Sequence, residues 1–228
     1  MIFKIFMKKD FQPDYETDSY AYDNIPISVL FVSITAIYLV LAYISDQFIL
    51  GDEVYIRSFS DQTIEAVLNM RERYGWLNYV FIPVTLFLKI SFPALCITIG
   101  TVLSSLEIKF KTFFKAVLLA EVVFILAQIL YLINLSRHLD ALTIEKSLNY
   151  FPLSVISIYG VENVVLWLHY PLQTLNLFEV FYILIISWLL SRQWKPNFIE
   201  SLNIVLPSYG TGLLLWLVLV TFLTLQIS

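Results

Sequence analysis

Long apolar runs separated by short polar ones dominate the chain, and five of them reach the length at which a helix crosses a bilayer. About 30 Å of hydrocarbon is traversed at about 1.5 Å per residue, so roughly 20 apolar residues suffice. The runs fall at 27–46, 77–106, 113–135, 172–191 and 202–227. The first is uncharged until Asp46, and the last carries no charge over its length. The second is long enough to tilt or project, with Pro83 and Pro93 as expected kinks. Another apolar stretch, 151–168, has Gly160, Glu162 and Asn163 at its middle, which favours an interfacial or re-entrant segment over a sixth crossing. Residues 62–74 follow a helical period, with Ile64, Val67, Leu68 and Tyr74 toward lipid and Glu65, Arg71 and Glu72 toward water. The predicted fold is all-α, a five-helix transmembrane bundle forming one domain over 25–228. Amphipathic helices are expected in its two longer loops, 47–76 and 136–171, and a polar arm over 1–24 precedes it.

Composition agrees with a lipid solvent. Of 228 residues, 59% are hydrophobic and 14% charged, with a mean hydropathy of +0.78; soluble domains average about 25% charged. The single Cys96 excludes a disulfide scaffold. A net charge of −4 without a basic block argues against nucleic acid, leaving membrane lipids, a membrane-protein partner or a second copy as the expected contacts. The first run is not expected to be a cleaved leader, because Asp10, Asp14, Glu16, Asp18 and Asp23 stand where a basic region would be.

Basic residues stay on the cytoplasmic side of short loops. An inside N-terminus collects Lys4, Lys8, Lys9, Lys109, Lys111, Lys115, Arg192 and Lys195 there, and the acid-rich longer loops fall outside. Trp76, Tyr79, Trp167 and Tyr170 then mark the outer interface and Trp194 the inner one.

Charged groups in hydrocarbon cost several kcal/mol and each asks for a partner. Three occur: Lys89, Glu121 and Glu179. Counted along ideal helices, Lys89 lies about 18 Å below the outer surface and Glu121 about 12 Å above the inner one, which is the same depth. Glu179, about 10 Å from the outer edge, is within a lysine's reach. Asn78, Thr85, Lys89, Pro93, Cys96, Gly100 and Ser104 recur along one face of the second run, Glu121 with Gln128 on the third, and Gln173, Asn176 and Glu179 on the fourth, predicting a polar interior seam. The seam reads as an ion path or as a static pair with interhelical hydrogen bonds. Pro207, Gly210 and Gly212 mark a break in the fifth run, either exposing backbone to a ligand or letting a neighbouring helix approach.

No His-Glu-x-x-His helix, paired aspartates, Gly-x-Ser element or phosphate-cradling glycine loop occurs. His138 and His169, with Asp140 and Glu162 nearby, are too sparse for a metal site. Neither an enzyme nor a cofactor is expected.

The residues 92–123, FPALCITIGTVLSSLEIKFKTFFKAVLLAEVV, and the stretch LNLFEVFYILIISWLL followed by a basic loop and FIESLNIVLPSYGTGLLLWLV resemble the Yip family of Ypt-interacting membrane proteins and its bacterial relatives, over about residues 77–226. Leu175, Phe178 and Glu179 occupy the places of the family's Leu-x-x-Phe stretch and nearby acid. The Asp-Leu-aromatic-Gly-Pro element of eukaryotic members is absent, so Rab GTPase binding is not implied. The resemblance implies a five-span scaffold or bilayer-shaping protein without catalytic residues. The Lys-, Ile-, Asn- and Phe-rich, alanine-poor composition suits a low-GC bacterium and hence a cytoplasmic membrane.

Overall fold

The computed structural model describes residues 25–104, 109–139, 142–194 and 197–227. The acidic arm over 1–24, Asp140 and Lys195 lie outside the described residues. Within them the chain is helical and forms no strand. In chain order the helices are α1 (Ile27–Ile44), α2 (Asp52–Ser58), α3 (Asp61–Tyr74), α4 (Trp76–Leu103), α5 (Phe110–Ala120), α6 (Val122–Ser136), α7 (Ile144–Asn149), α8 (Val155–Tyr159), α9 (Leu166–Thr174), α10 (Leu177–Trp194) and α11 (Phe198–Ile227).

Four stretches are long and apolar enough to cross a membrane: 27–49, 76–103, 110–136 and 198–226. The first outruns its expected end because α1 continues through a π-helical turn, Ser45–Ile49. The third is not one helix. It breaks at Glu121, whose N–H bonds the Leu118 carbonyl while its own carbonyl accepts from both Phe124 and Ile125. This tight turn divides α5 from α6 at the residue carrying a buried carboxylate.

The α5 helix is the centre of the bundle. Phe113, Phe114, Lys115, Ala116, Val117, Leu118 and Ala120 are all buried, against α4, α10 and α1. Opposite it, α4 presents Leu86, Ile90, Pro93, Ala94, Ile97 and Thr101. Apolar side chains such as Val218, Leu214 and Leu215 of α11 stay exposed, as helices bathed in lipid require.

The connections between α1 and α4 and between α6 and α10 meet at one end of the bundle and form a shelf. Arg57 of α2 donates to the Leu139 carbonyl at 2.5 Å, and the Ser58 hydroxyl accepts from the Ile144 N–H at 2.8 Å. The stretch 151–168 is not one continuous helix, being cut into α8, a single 3-10 turn and the start of α9. Gly160 makes one of these cuts with φ of 81°, a conformation that favours glycine. Backbone bonds from Val155 to Leu175 and from Leu177 to Leu153, both 3.0 Å, pin this stretch to the head of α10.

Three expectations are corrected here. The fourth run does not begin at 172: α9 ends at Thr174, and α10 starts at Leu177. Asn176 is the cap between them, its Oδ1 accepting from the Glu179 N–H at 2.9 Å. This is the N-cap arrangement, with Asn followed three residues later by Glu. The fifth run starts at Phe198 and is helical straight through Pro207, Gly210 and Gly212. There is no break, and packing explains two of the glycines. A Cβ at Gly212 would lie 2.4 Å from Cys96 Sγ, and one at Gly100 1.7 Å from Ser208 Oγ, so α4 and α11 touch backbone to side chain. Gly210 faces open space.

Candidate functional site

The polar residues of the long helices sort into two kinds. Hydroxyls mostly turn back on their own helix: Thr85 to Phe81, Ser91 to Phe87, Thr98 to Ala94, Ser187 to Ile183 and Ser208 to Ile204. Such back-bonding satisfies a donor without joining helices, so Thr85 is not the interhelical link that its spacing suggested. Asn78 and Thr85 are exposed, so the shelf end of the expected seam on α4 faces outward.

Acidic residues do join helices. Glu121, at the α5–α6 turn, is fully buried and pairs through Oε1 with the Lys89 ammonium of α4. The same oxygen accepts a 2.7 Å bond from the Tyr38 hydroxyl of α1. Lys89 also sits over the Phe124 ring at 3.9 Å and the Tyr38 ring at 5.8 Å, contacts that favour a cation further. Its side chain remains 44% exposed while that of Glu121 is 0% exposed. The lysine therefore reaches in from the bundle surface. Equal depth along the helices had suggested this pairing; nothing in the sequence marked Tyr38, because Tyr at an interior position of an apolar helix reads as packing.

Glu179 takes a different partner. Buried near the head of α10, it accepts a bond from the Tyr209 hydroxyl of α11, and among the described residues no lysine, arginine or histidine pairs with it. Tyr182, one turn along α10, packs its ring against Phe124 at 4.9 Å and Tyr209 at 5.9 Å. It thus stands between the helix carrying Glu121 and the tyrosine bonded to Glu179. Gln128 is half-buried further along α6. Gln173 belongs to α9 and Asn176 to the cap, so neither extends a face with Glu179.

A second ion cluster lies on the shelf. Arg71 was expected to face water but instead turns inward, pairing with Asp46 at 2.9 Å and with Asp52, and covering the Tyr55 ring at 4.7 Å. Tyr79 of α4 donates to the other Asp46 oxygen at 3.2 Å. Burial alone would lower the Arg71 pKa; the hydrogen bond and charge of Asp46, with Asp52 adding, carry it above its ordinary value. The cluster fastens α3 to the π-helical end of α1. His138 and His169 are placed against backbone, Nδ1 near the Asn134 carbonyl at 3.1 Å and Nε2 near that of Val164 at 3.0 Å.

No protein-family model matches the chain, and neither the curated proteins nor the solved structures contain a significant match.

Proposed function

We propose that the protein is a non-enzymatic integral membrane scaffold, Yip-like in layout, that organises or assists other membrane proteins in a bacterial cytoplasmic membrane. On this reading α10 is the fifth crossing. Its 18 residues rise about 27 Å, and it packs lengthwise against α11, α5 and α6. Five crossings with an inside N-terminus place the shelf outside. The shelf is the observation that carries the reading: a platform whose two connections are joined by Arg57 and Ser58 and fastened to the end of α1 by Arg71, and which still leaves Ile158 81% exposed, with Tyr159 and Leu166 also exposed. Ordered apolar side chains beside a membrane surface suit a partner or a second copy.

The test is a photo-crosslinker at Ile158 or Leu166, compared with one at the lipid-facing Val218, in native membranes. A defined protein adduct from the shelf positions, lost on Tyr159→Asp, supports a scaffold. Lipid adducts alone from all three positions, with a monodisperse monomer on purification, contradict it. A small transporter or channel is the second reading, favoured by Lys89, Glu121 and Glu179 at the crossing of four helices. Flux into liposomes that is lost on Glu121→Gln would support it.

A further inference from the structure

Among the described residues the interior acids Glu121 and Glu179 share a single ion pair, that of Glu121 with Lys89, and this holds whether or not the protein serves as a scaffold. The other buried lysine, Lys115, has interactions of its own. Glu121 has both of its charge-stabilising contacts on one oxygen: Oε1 meets Lys89 and Tyr38. Its Oε2 is buried with no hydrogen-bond partner. Glu179 has a hydroxyl donor and, among the described residues, no ion-pair partner. An unpaired carboxylate in such surroundings is penalised by several kcal/mol, so it takes up a proton or a small cation instead.

We propose that Glu179 is a proton-binding site, its carboxyl carried protonated in the membrane at neutral pH while Glu121 holds the charge of Lys89. The surroundings fit a proton better than a metal ion. The one hydrogen-bond partner of the Glu179 carboxyl among the described residues is the Tyr209 hydroxyl of α11. A bound cation would require several converging oxygen ligands, and no cluster of metal-binding side chains occurs among the described residues. The remaining titratable groups of the neighbourhood are Glu121 at the α5–α6 turn, Lys89 and Cys96 on α4, Tyr38 on α1 and Tyr182 on α10 itself. Lys115 of α5, six residues before Glu121, lies about 9 Å further toward the end away from the shelf and has interactions of its own.

Among the described residues the buried Tyr182 hydroxyl has no hydrogen-bond partner, and its ring packs between Phe124, one turn past Glu121, and Tyr209. Glu179 itself keeps 8% of its surface exposed. If the half-exposed Lys89 side chain moved toward Glu179, the acid needing a proton would become Glu121, at its unpartnered Oε2.

Infrared spectroscopy of the full-length protein in nanodiscs at neutral pH reads the proton directly. The carbonyl stretch of a protonated carboxyl should be present in the wild type, lost in Glu179→Gln, and roughly doubled in Lys89→Met, where both acids go uncompensated. Carbodiimide labelling of the wild type gives a second readout that needs no variant to fold. It should modify Glu179 rather than Glu121, with labelling that falls as pH rises and is indifferent to exchanging potassium for sodium. An absent carboxyl band, a band that survives Glu179→Gln, or protection by sodium would each overturn the assignment, the last by showing that the site takes a metal cation.

Discussion

The bundle interior and the shelf each contain an ion cluster, and they are built on opposite terms. On the shelf, Arg71 spreads several donors over Asp46, the Asp46 backbone carbonyl and Asp52 within reach of water. In the interior, the compact Lys89 ammonium meets one oxygen of a fully buried Glu121. Arginine's fork tolerates the loss of one contact; the single Lys89 contact does not, because its removal leaves the fully buried Glu121 carboxyl without a counterion. The shelf is therefore a fastening that can loosen locally, whereas the interior pair is a condition for the bundle to close.

Substitutions can break that contrast, the largest effect coming first. Lys89→Met removes the counterion of the buried Glu121, which must then take up a proton to stay buried, and should destabilise the bundle by about 3–5 kcal/mol, measured by steric trapping or SDS unfolding in bicelles. Gly212→Ala drives a methyl into Cys96 and should lose about 1–3 kcal/mol. Adding Cys96→Ala should recover part of that loss, since the clash is with the sulfur. Asn176→Ala removes the cap where shelf and bundle join, at about 1 kcal/mol. It should be read in faster hydrogen exchange over the first turn of α10.

Arg71→Ala should change global stability least, by up to about 1 kcal/mol and less in high salt, while raising exchange in α3. The sign of its pH response follows from the raised Arg71 pKa: the contribution is complete below the ordinary arginine value and is lost only as pH rises through the higher folded one. Deprotonation of Arg71 therefore cannot loosen the shelf anywhere in the neutral range. Protection factors in α3, with the base-catalysed intrinsic exchange rate divided out, that fell on going from neutral to mildly alkaline pH would contradict this.

Much of this architecture was legible in the apolar runs, because a bilayer fixes helix length and most of the described long helices fall within a few residues of their expected bounds. The Lys89–Glu121 pair was legible for the same reason, since depth follows from counting along two helices. Arg71 was not. A helical wheel assigns an arginine to water, and only the fold brings Asp46 from another helix beside it. Asn176 was mistaken for a seam residue, since capping depends on where the chain leaves one helix and enters the next. Pro207, Gly210 and Gly212 read as a break because these residues weaken isolated helices, yet contact with α4 over Gly212 and Ser208 holds α11 together. Tyr38, Tyr182 and Tyr209 carried no signal at all: a tyrosine in an apolar run declares its ring, and its hydroxyl's partner is a matter of tertiary structure.

The decisive measurement is a double-mutant cycle on Lys89→Met and Glu121→Gln, with unfolding free energy in bicelles as the readout. If the interior closes only on matched charge, each single change is costly and the double variant regains most of the loss of Lys89→Met. Losses that simply add, or a Lys89→Met protein as stable as the wild type, would show that the two side chains are neighbours without being partners.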